Sequence, residues 1–439
     1  MTDEIRTIPP KLTKIEWNAL LDHALIVPAS YIIYKVDTEY RAKNGLTGKI
    51  DYSGTDASTV IQAALDKKGK IFIKNGVYDI LTTLQISSQT ALEGEVIGYY
   101  ATPPSTILRL ANGANCTLLE AKGEDVGDQS KNIRLENIWF NGNRANQAVA
   151  VDMVDLTKGR QVVIENCYFY NSKRDALIIN FAWVLHSRFM NNGRRAIYAI
   201  TDCYIKNVNV ASAVADSAYA GDHSVWLHSG ANIIAFSDVY SSEYGFGITA
   251  YGSHYNTIIG NRVSHNNRVG IFLSGATNNI IIGNRVHDNS QHGQNAYPGI
   301  DLAGESLDNV VVGNKCWNRD AANLQSYGIR ERDTSNYNVI MSNDVKGNYQ
   351  THGISYVGVD SRVKDNIGYV TENSGTATIT ASTTVVFAHG LAGTPTHVAV
   401  GFKTTGYGSW IWSADATNIT ITVANSGTYD LTWDAEYTP

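Results

Sequence analysis

Histidine, arginine, aspartate and ring side chains crowd one stretch of this sequence. Between positions 174 and 301 come Arg174 and Asp175, Arg194 and Arg195, Asp222 and His223, Glu243, His265 and Arg268, and His292. Interleaved with them are Asn180, Tyr198, Trp226, His228, Thr249, Tyr251, Phe272 and Asp301, and Arg330 and Arg332 follow. Aromatic rings stack on sugar faces, and arginine forks grip carboxylate or sulfate. Histidine titrates near neutrality and serves as a general base. Asp222, beside His223, suits orienting that imidazole or contributing to a Ca²⁺ site. A single exposed His or Arg is ordinary solvated surface; the concentration of these groups is what singles them out. No P-loop, HExxH, GxSxG or GxGxxG after a strand is present, and no dense acidic cluster demands a metal.

Composition narrows the class of scaffold that must hold these groups. The chain has 439 residues, enough for one large domain with appendages or for two domains. It carries 35 Lys and Arg against 41 Asp and Glu, a net charge of −6, and 17% of residues are charged. That excludes nucleic-acid binding through bulk positive charge, and it excludes a highly charged disordered chain. Plentiful glycine (38), scarce proline (8) and 25 tyrosines point to a β-rich protein full of turns. The longest apolar stretch, around Ala176–Leu185, is interrupted by Asn180 and falls far short of the ~20 residues that span a bilayer. No membrane segment is expected. The first residues form no apolar leader, so the expected extracellular or virion-surface location needs another export route or a removed signal. Cys116, Cys167, Cys203 and Cys316 show no close pairing and no CxxC, and read as small apolar core residues.

A repeat organises the chain. Asn256–Asn261, Asn279–Asn284, Asn309–Asn314, Asn338–Asn343 and Ser361–Asn366 each place a polar residue, an apolar centre and an asparagine five positions on. Looser copies lie upstream from Asn132, and a second series runs through Gly247-Ile248, Gly270-Ile271, Gly299-Ile300, Gly328-Ile329 and Gly353-Ile354. Short β-branched strands repeating every 19 to 30 residues with Asn and Gly corners mark a solenoid. The leucine pattern of leucine-rich repeats is missing, and a propeller blade needs ~40 residues. A parallel β-helix of about ten coils remains, with asparagine amides stacked at one corner and isoleucines pointing inward. Asp56–Lys67 (DASTVIQAALDK) predicts a capping helix with Val60, Ile61, Ala64 and Leu65 on one stripe.

The run SGTDASTVIQAALDKKGKIFIKNGVYDI, followed by the Asn and Gly-Ile coils, resembles the pectate-lyase-like right-handed parallel β-helix superfamily of polysaccharide lyases and phage tailspikes. The resemblance spans residues 52–370 as the catalytic or binding unit. Residues 1–51 flank it with a helix over Leu12–Ile26 and an extended segment over Tyr31–Arg41. Residues 371–439 flank it with six short strands, read as a small β-sandwich for oligomerisation or carbohydrate binding. The stretch HGLAGTPTHVAVGF resembles terminal β-domains of phage-like tail proteins. The superfamily implies action on an acidic polysaccharide, most concretely β-elimination beside a uronic acid. Arg195 or a metal ion would neutralise the carboxylate, His223, His228 or an arginine would take the proton, Tyr251 would act as acid, and Asp222 would support the histidine. Arg174, Tyr198, Trp226, His265, Arg268, Phe272, Asp301 and Arg330 would bind substrate. Such enzymes often use Ca²⁺, which makes it a possible cofactor here. The DPHE run of alginate epimerases and the paired aspartates of polygalacturonases are absent. Two other readings stand beside the lyase: a tailspike-like glycoside hydrolase pairing carboxylates among Asp222, Glu243, Asp301 and Glu331, and a non-catalytic receptor-binding adhesin. A homotrimer is expected by the same likeness, with polysaccharide as the partner.

Overall fold

The computed structural model describes residues 29–95, 105–213, 215–219, 221–319, 325–350 and 352–438. The helix expected over Leu12–Ile26 lies outside them. Three long sheets run side by side along one rod, of 15, 10 and 11 strands, and strands of each coil pair in parallel with those of the next. This is the right-handed parallel β-helix that the repeat predicts.

From Thr257 to Trp317 the first two sheets are built of three-residue strands whose middle residue points inward. Thr257-Ile258-Ile259, Ile280-Ile281-Ile282 and Val310-Val311-Val312 lie in register in the first sheet, and Ile258, Ile281 and Val311 are fully buried. Val263, Val286 and Cys316 stack likewise in the second sheet. Ile248, Ile271, Ile300 and Ile329 do so in the third. Like side chains repeat at one rung spacing and join in one continuous apolar core.

Asparagine ladders hold the corners. Asn261, Asn284, Asn314, Asn343 and Asn366 pass hydrogen bonds from coil to coil: each Nδ2 donates to the next Oδ1 at 2.9–3.0 Å. A second ladder joins Asn256, Asn279, Asn309 and Asn338. The structure adds a third, in which Asn266 and Asn289 end on Gln325. These amides are buried, and the ladder satisfies both their donors and their acceptors.

Separate pieces close the two ends. The cap helix spans Ala57–Leu65 with Asp56 as its N-cap and buries Val60, Ile61, Ala64 and Leu65 on the first coil. The segment expected as extended over Tyr31–Arg41 is a hairpin that turns at Asp37 (φ 53°), and Tyr31–Ile33 join the first sheet in parallel. At the other end, the six short strands expected are four in one antiparallel sheet. Glu372–Ala388 and Asn418–Glu436 pair along their length, with register shifts at Ser382. His397–Phe402 adds to one half of this sheet and Trp410–Ala414 to the other, and the four strands share a single core of Ile379, Ile419, Ile421, Leu431 and Trp433. It docks on the last coil through Ala392 N–H to Val370 O and Tyr437 N–H to Thr371 O, both 2.8 Å. All four cysteines are free, with Cys167, Cys203 and Cys316 buried. No described helix is long and apolar enough to cross a membrane.

Candidate functional site

The turns that feed the third sheet set charged residues at one level on successive coils. Asp152, Asp175 and Asp222 each sit a residue or two ahead of a third-sheet strand. Arg174 Nε donates to Asp152 (2.6 Å), and Arg194 Nε donates to Asp175 (2.6 Å). Arg195 bridges forward, with Nε 2.9 Å from Asp222 Oδ1. These carboxylates also accept backbone N–H groups, Asp175 N to Asp152 and Arg195 N to Asp175, so they help to knit one coil to the next. The charge of Arg174, Arg194 and Arg195 is therefore largely matched by aspartate. Arg268 has no carboxylate partner among the described residues; its guanidinium lies over the Phe246 and Tyr297 rings.

The outward face of the third sheet carries a column in direct register: Ile178, Tyr198, Trp226, Thr249, Phe272, Asp301 and Arg330. Tyr198 and Trp226 stack with centroids 4.9 Å apart, and His228 stands edge-on to both. The Arg195 guanidinium lies 4.1 Å from the centre of the Trp226 ring. His223 packs against Trp226 and Phe246, and Phe246 stacks on Phe272. Asp222, His223, Arg195, Tyr198, Trp226 and His228 thus form one cluster, extended by Phe272 and Arg268 through Phe246.

Electrostatics give His223 a defined state. Burial, together with Arg195, Arg194 and Arg268, lowers its pKa to about 4 against the pull of Asp222, whose Oδ1 is 4.0 Å from Nε2. The imidazole is therefore neutral at pH 7. Burial works against the Asp222 charge, yet Arg195 holds that carboxyl below its usual range. His223 Nδ1, Trp226 Nε1 and Thr249 Oγ1 are buried without a hydrogen-bond partner, on adjoining rungs. Each such atom costs about 1–3 kcal/mol in a closed interior, so the cluster carries an unmet polar demand beside the Asp222–Arg195 pair.

Other expected site residues lie beyond this cluster, some on the same outward face and some apart from it. Arg174 is engaged with Asp152. Tyr251, 55% exposed, ends its strand two residues beyond Thr249. His265 belongs to a separate group: its Nε2 is 3.8 Å from Asp288, which also binds His287 and Arg319. Asp301 is clamped by Arg330 (2.9 Å) and Arg332 (3.2 Å), so neither Asp301 nor Arg330 is free to hold a ligand alone. Asp222 accepts from Arg195 and from the His223 backbone, which leaves a poor site for Ca²⁺. Of the four carboxylates in the hydrolase alternative, Glu331 points into the rod, opposite Leu302, and is held by Asn338, Ser361 and Gly358 N–H, whereas Glu243 is exposed. Phe246 and Asp152 were not singled out from sequence. Asp152 shares with Asp175 its place ahead of a third-sheet strand, whereas nothing local marks Phe246.

The family model for the right handed beta helix region matches residues 176–423. Among solved structures, the A-module of a mannuronan C-5 epimerase from Azotobacter vinelandii aligns with a TM-score of 0.54 at 18% identity, over 70% of this chain and 96% of that one. A second A. vinelandii epimerase A-module gives 0.51 at 17% identity, over 71% and 95%. Tailspike protein 2 of an Escherichia coli bacteriophage gives 0.54 at 13% identity, over 87% and 61%. At such identities the likeness is one of fold. No curated protein matches the sequence.

Proposed function

The chain belongs to the right-handed β-helix family, and from that premise we propose that it cleaves an extracellular acidic polysaccharide by β-elimination. The observation that carries this reading is His223: a buried, neutral imidazole whose Nδ1 has no partner, set between the Asp222–Arg195 pair and the Trp226 ring. In the reaction it takes the proton alpha to a uronate carboxylate. The electron pair of that C–H bond becomes the C4–C5 double bond as the C4–O bond breaks. Arg195 and Arg268 offset the charge that grows on the carboxylate. The exposed Tyr251 hydroxyl supplies the proton to the departing oxygen. Tyr198, Trp226 and Phe272 line the path of the sugar rings.

The protein acts outside the cell or on a virion as a homotrimer. The outer side of the first sheet supports that assembly: Ile259, Ile280, Ile282, Val310, Val312 and Val339 point outward on successive rungs, and Ile280 is 42% exposed.

A panel of polyuronates decides the matter. An ultraviolet-absorbing unsaturated product is expected, with His223→Ala lowering kcat by roughly 10²–10⁴. New reducing ends without unsaturation would assign hydrolysis, and binding without either product would assign a receptor-binding role. Full activity in Arg195→Ala, His223→Ala and Tyr251→Phe would remove the site.

A further inference from the structure

The outer face of the second sheet carries a charge arrangement that the site above does not use. Arg262, Arg285 and Lys315 lie directly opposite one another on three successive strands. Like charges in cross-strand register repel, so this stack needs an offset. Asp238 supplies one to Arg262 (3.0 Å), and Asp344 supplies one to Lys315 (3.3 Å). Arg285, between them, and Lys346, on the next coil, have no carboxylate partner among the described residues.

These cations line a cavity of about 620 Å³ shared with Trp317, Asn318 and Asp344. The Trp317 ring is fixed from behind by stacking on His287 (4.5 Å), whose Nδ1 is tied to Asp288 (2.7 Å). Lys315 Nζ is 5.4 Å from the centre of the same indole. A rigid ring beside two uncompensated cations, on a chain of net charge −6, selects a ligand with an apolar face and regularly placed negative charge.

We propose that this groove is a second glycan-binding site, taking a carboxylate-bearing oligosaccharide with a sugar on Trp317 and its carboxylates on Arg285 and Lys346. It rests on the proposed function only for the identity of the polymer, since it stands on a different sheet from His223. Its role is to hold the chain on the rod while another segment is at the cleavage site.

The test is calorimetric titration of the full chain carrying His223→Ala with oligogalacturonate, oligomannuronate and methyl-esterified oligogalacturonate. Tyr251→Phe, a conservative change at an exposed position, serves if His223→Ala fails to fold. Arg285 and Lys346 are exposed, so Arg285→Ala with Lys346→Ala leaves the fold intact. That pair is expected to weaken binding of at least one free uronate roughly tenfold per cation removed, and added salt to weaken it further in the parent. The ester is expected to bind no better than the doubly substituted chain binds the acid. With the wild-type residues at 223 and 251, the pair leaves kcat on a short oligouronate unchanged. Undiminished affinity in the pair, equal binding of the ester, or no binding of either acid overturns the site. Absence of unsaturated product from every uronate defeats the lyase reading and leaves this binding experiment standing.

Discussion

The state of His223 can be tested without knowing any substrate, through its linkage to folding. Its folded pKa is about 4, whereas an unfolded imidazole titrates near 6.5. As pH falls through 6.5 the unfolded chain takes up a proton that the folded chain refuses until about 4. The contribution of neutral His223 is therefore complete above about pH 6.5, is lost between 6.5 and 4, and falls no further below that. The gap corresponds to roughly 3 kcal/mol, of which most is gone by about pH 4.5. Urea denaturation of wild type and His223→Gln at about pH 7 and pH 4.5 isolates this residue from the other histidines, because only the difference between the two proteins is read. Wild type should lose roughly 2–3 kcal/mol more than the variant over that interval. Equal losses, or a His223 ring resonance titrating near 6.5, would refute the reasoning. For catalysis the same state places the acid limb of kcat/KM near pH 4, with little change from about 5 to 7.

Three further outcomes are expected. Asn314→Ala removes an amide that donates to Asn343 and Ile281 O and accepts two bonds from Asn284; urea denaturation should show a loss of about 3–5 kcal/mol, and a loss below about 1 kcal/mol would mean that the ladder is dispensable. Trp226→Ala should raise KM about tenfold with kcat little changed and the far-ultraviolet spectrum intact; a fall in kcat alone would place Trp226 at the reacting atoms. Light scattering should give a trimer mass for the full chain, and a mass near 47.9 kDa would show a monomer.

The rod was legible in the sequence because its determinants are local and repeat. The five-residue step from Asn256 to Asn261 fixes a strand with one inward residue, and copies of that step place those strands side by side. The third ladder was harder to see, since Gln325 replaces asparagine after a turn of different length. The site was legible in part. Asp222, His223, Arg195, Tyr198 and Trp226 come together because they occupy equivalent places on neighbouring coils, which the repeat discloses. Outward position alone does not reveal what a side chain is already bound to. Asp301 and Arg330 share that face and neutralise each other. His265 has the right residue type but lies where the second sheet ends, against Asp288. The C-terminal strands alternate clearly, yet the continuous pairing through the register shift at Ser382 that joins two expected strands into one spans some 45 residues, which no local signal carries.

The closure of the two ends by separate pieces bears on how such a rod changes size over evolutionary time. A stack of parallel coils offers the same unpaired edge at every length, so without stoppers it would add copies of itself end to end. Here the cap helix meets only the first coils, and the C-terminal sheet grips Val370 and Thr371. Between these stoppers the coils from Asn256 to Asn343 make nearly interchangeable bonds with their neighbours. Duplication or deletion of one such coil would lengthen or shorten the rod by a single rung without unseating either end, so the reach of the molecule can drift while the side-chain cluster around His223 stays intact.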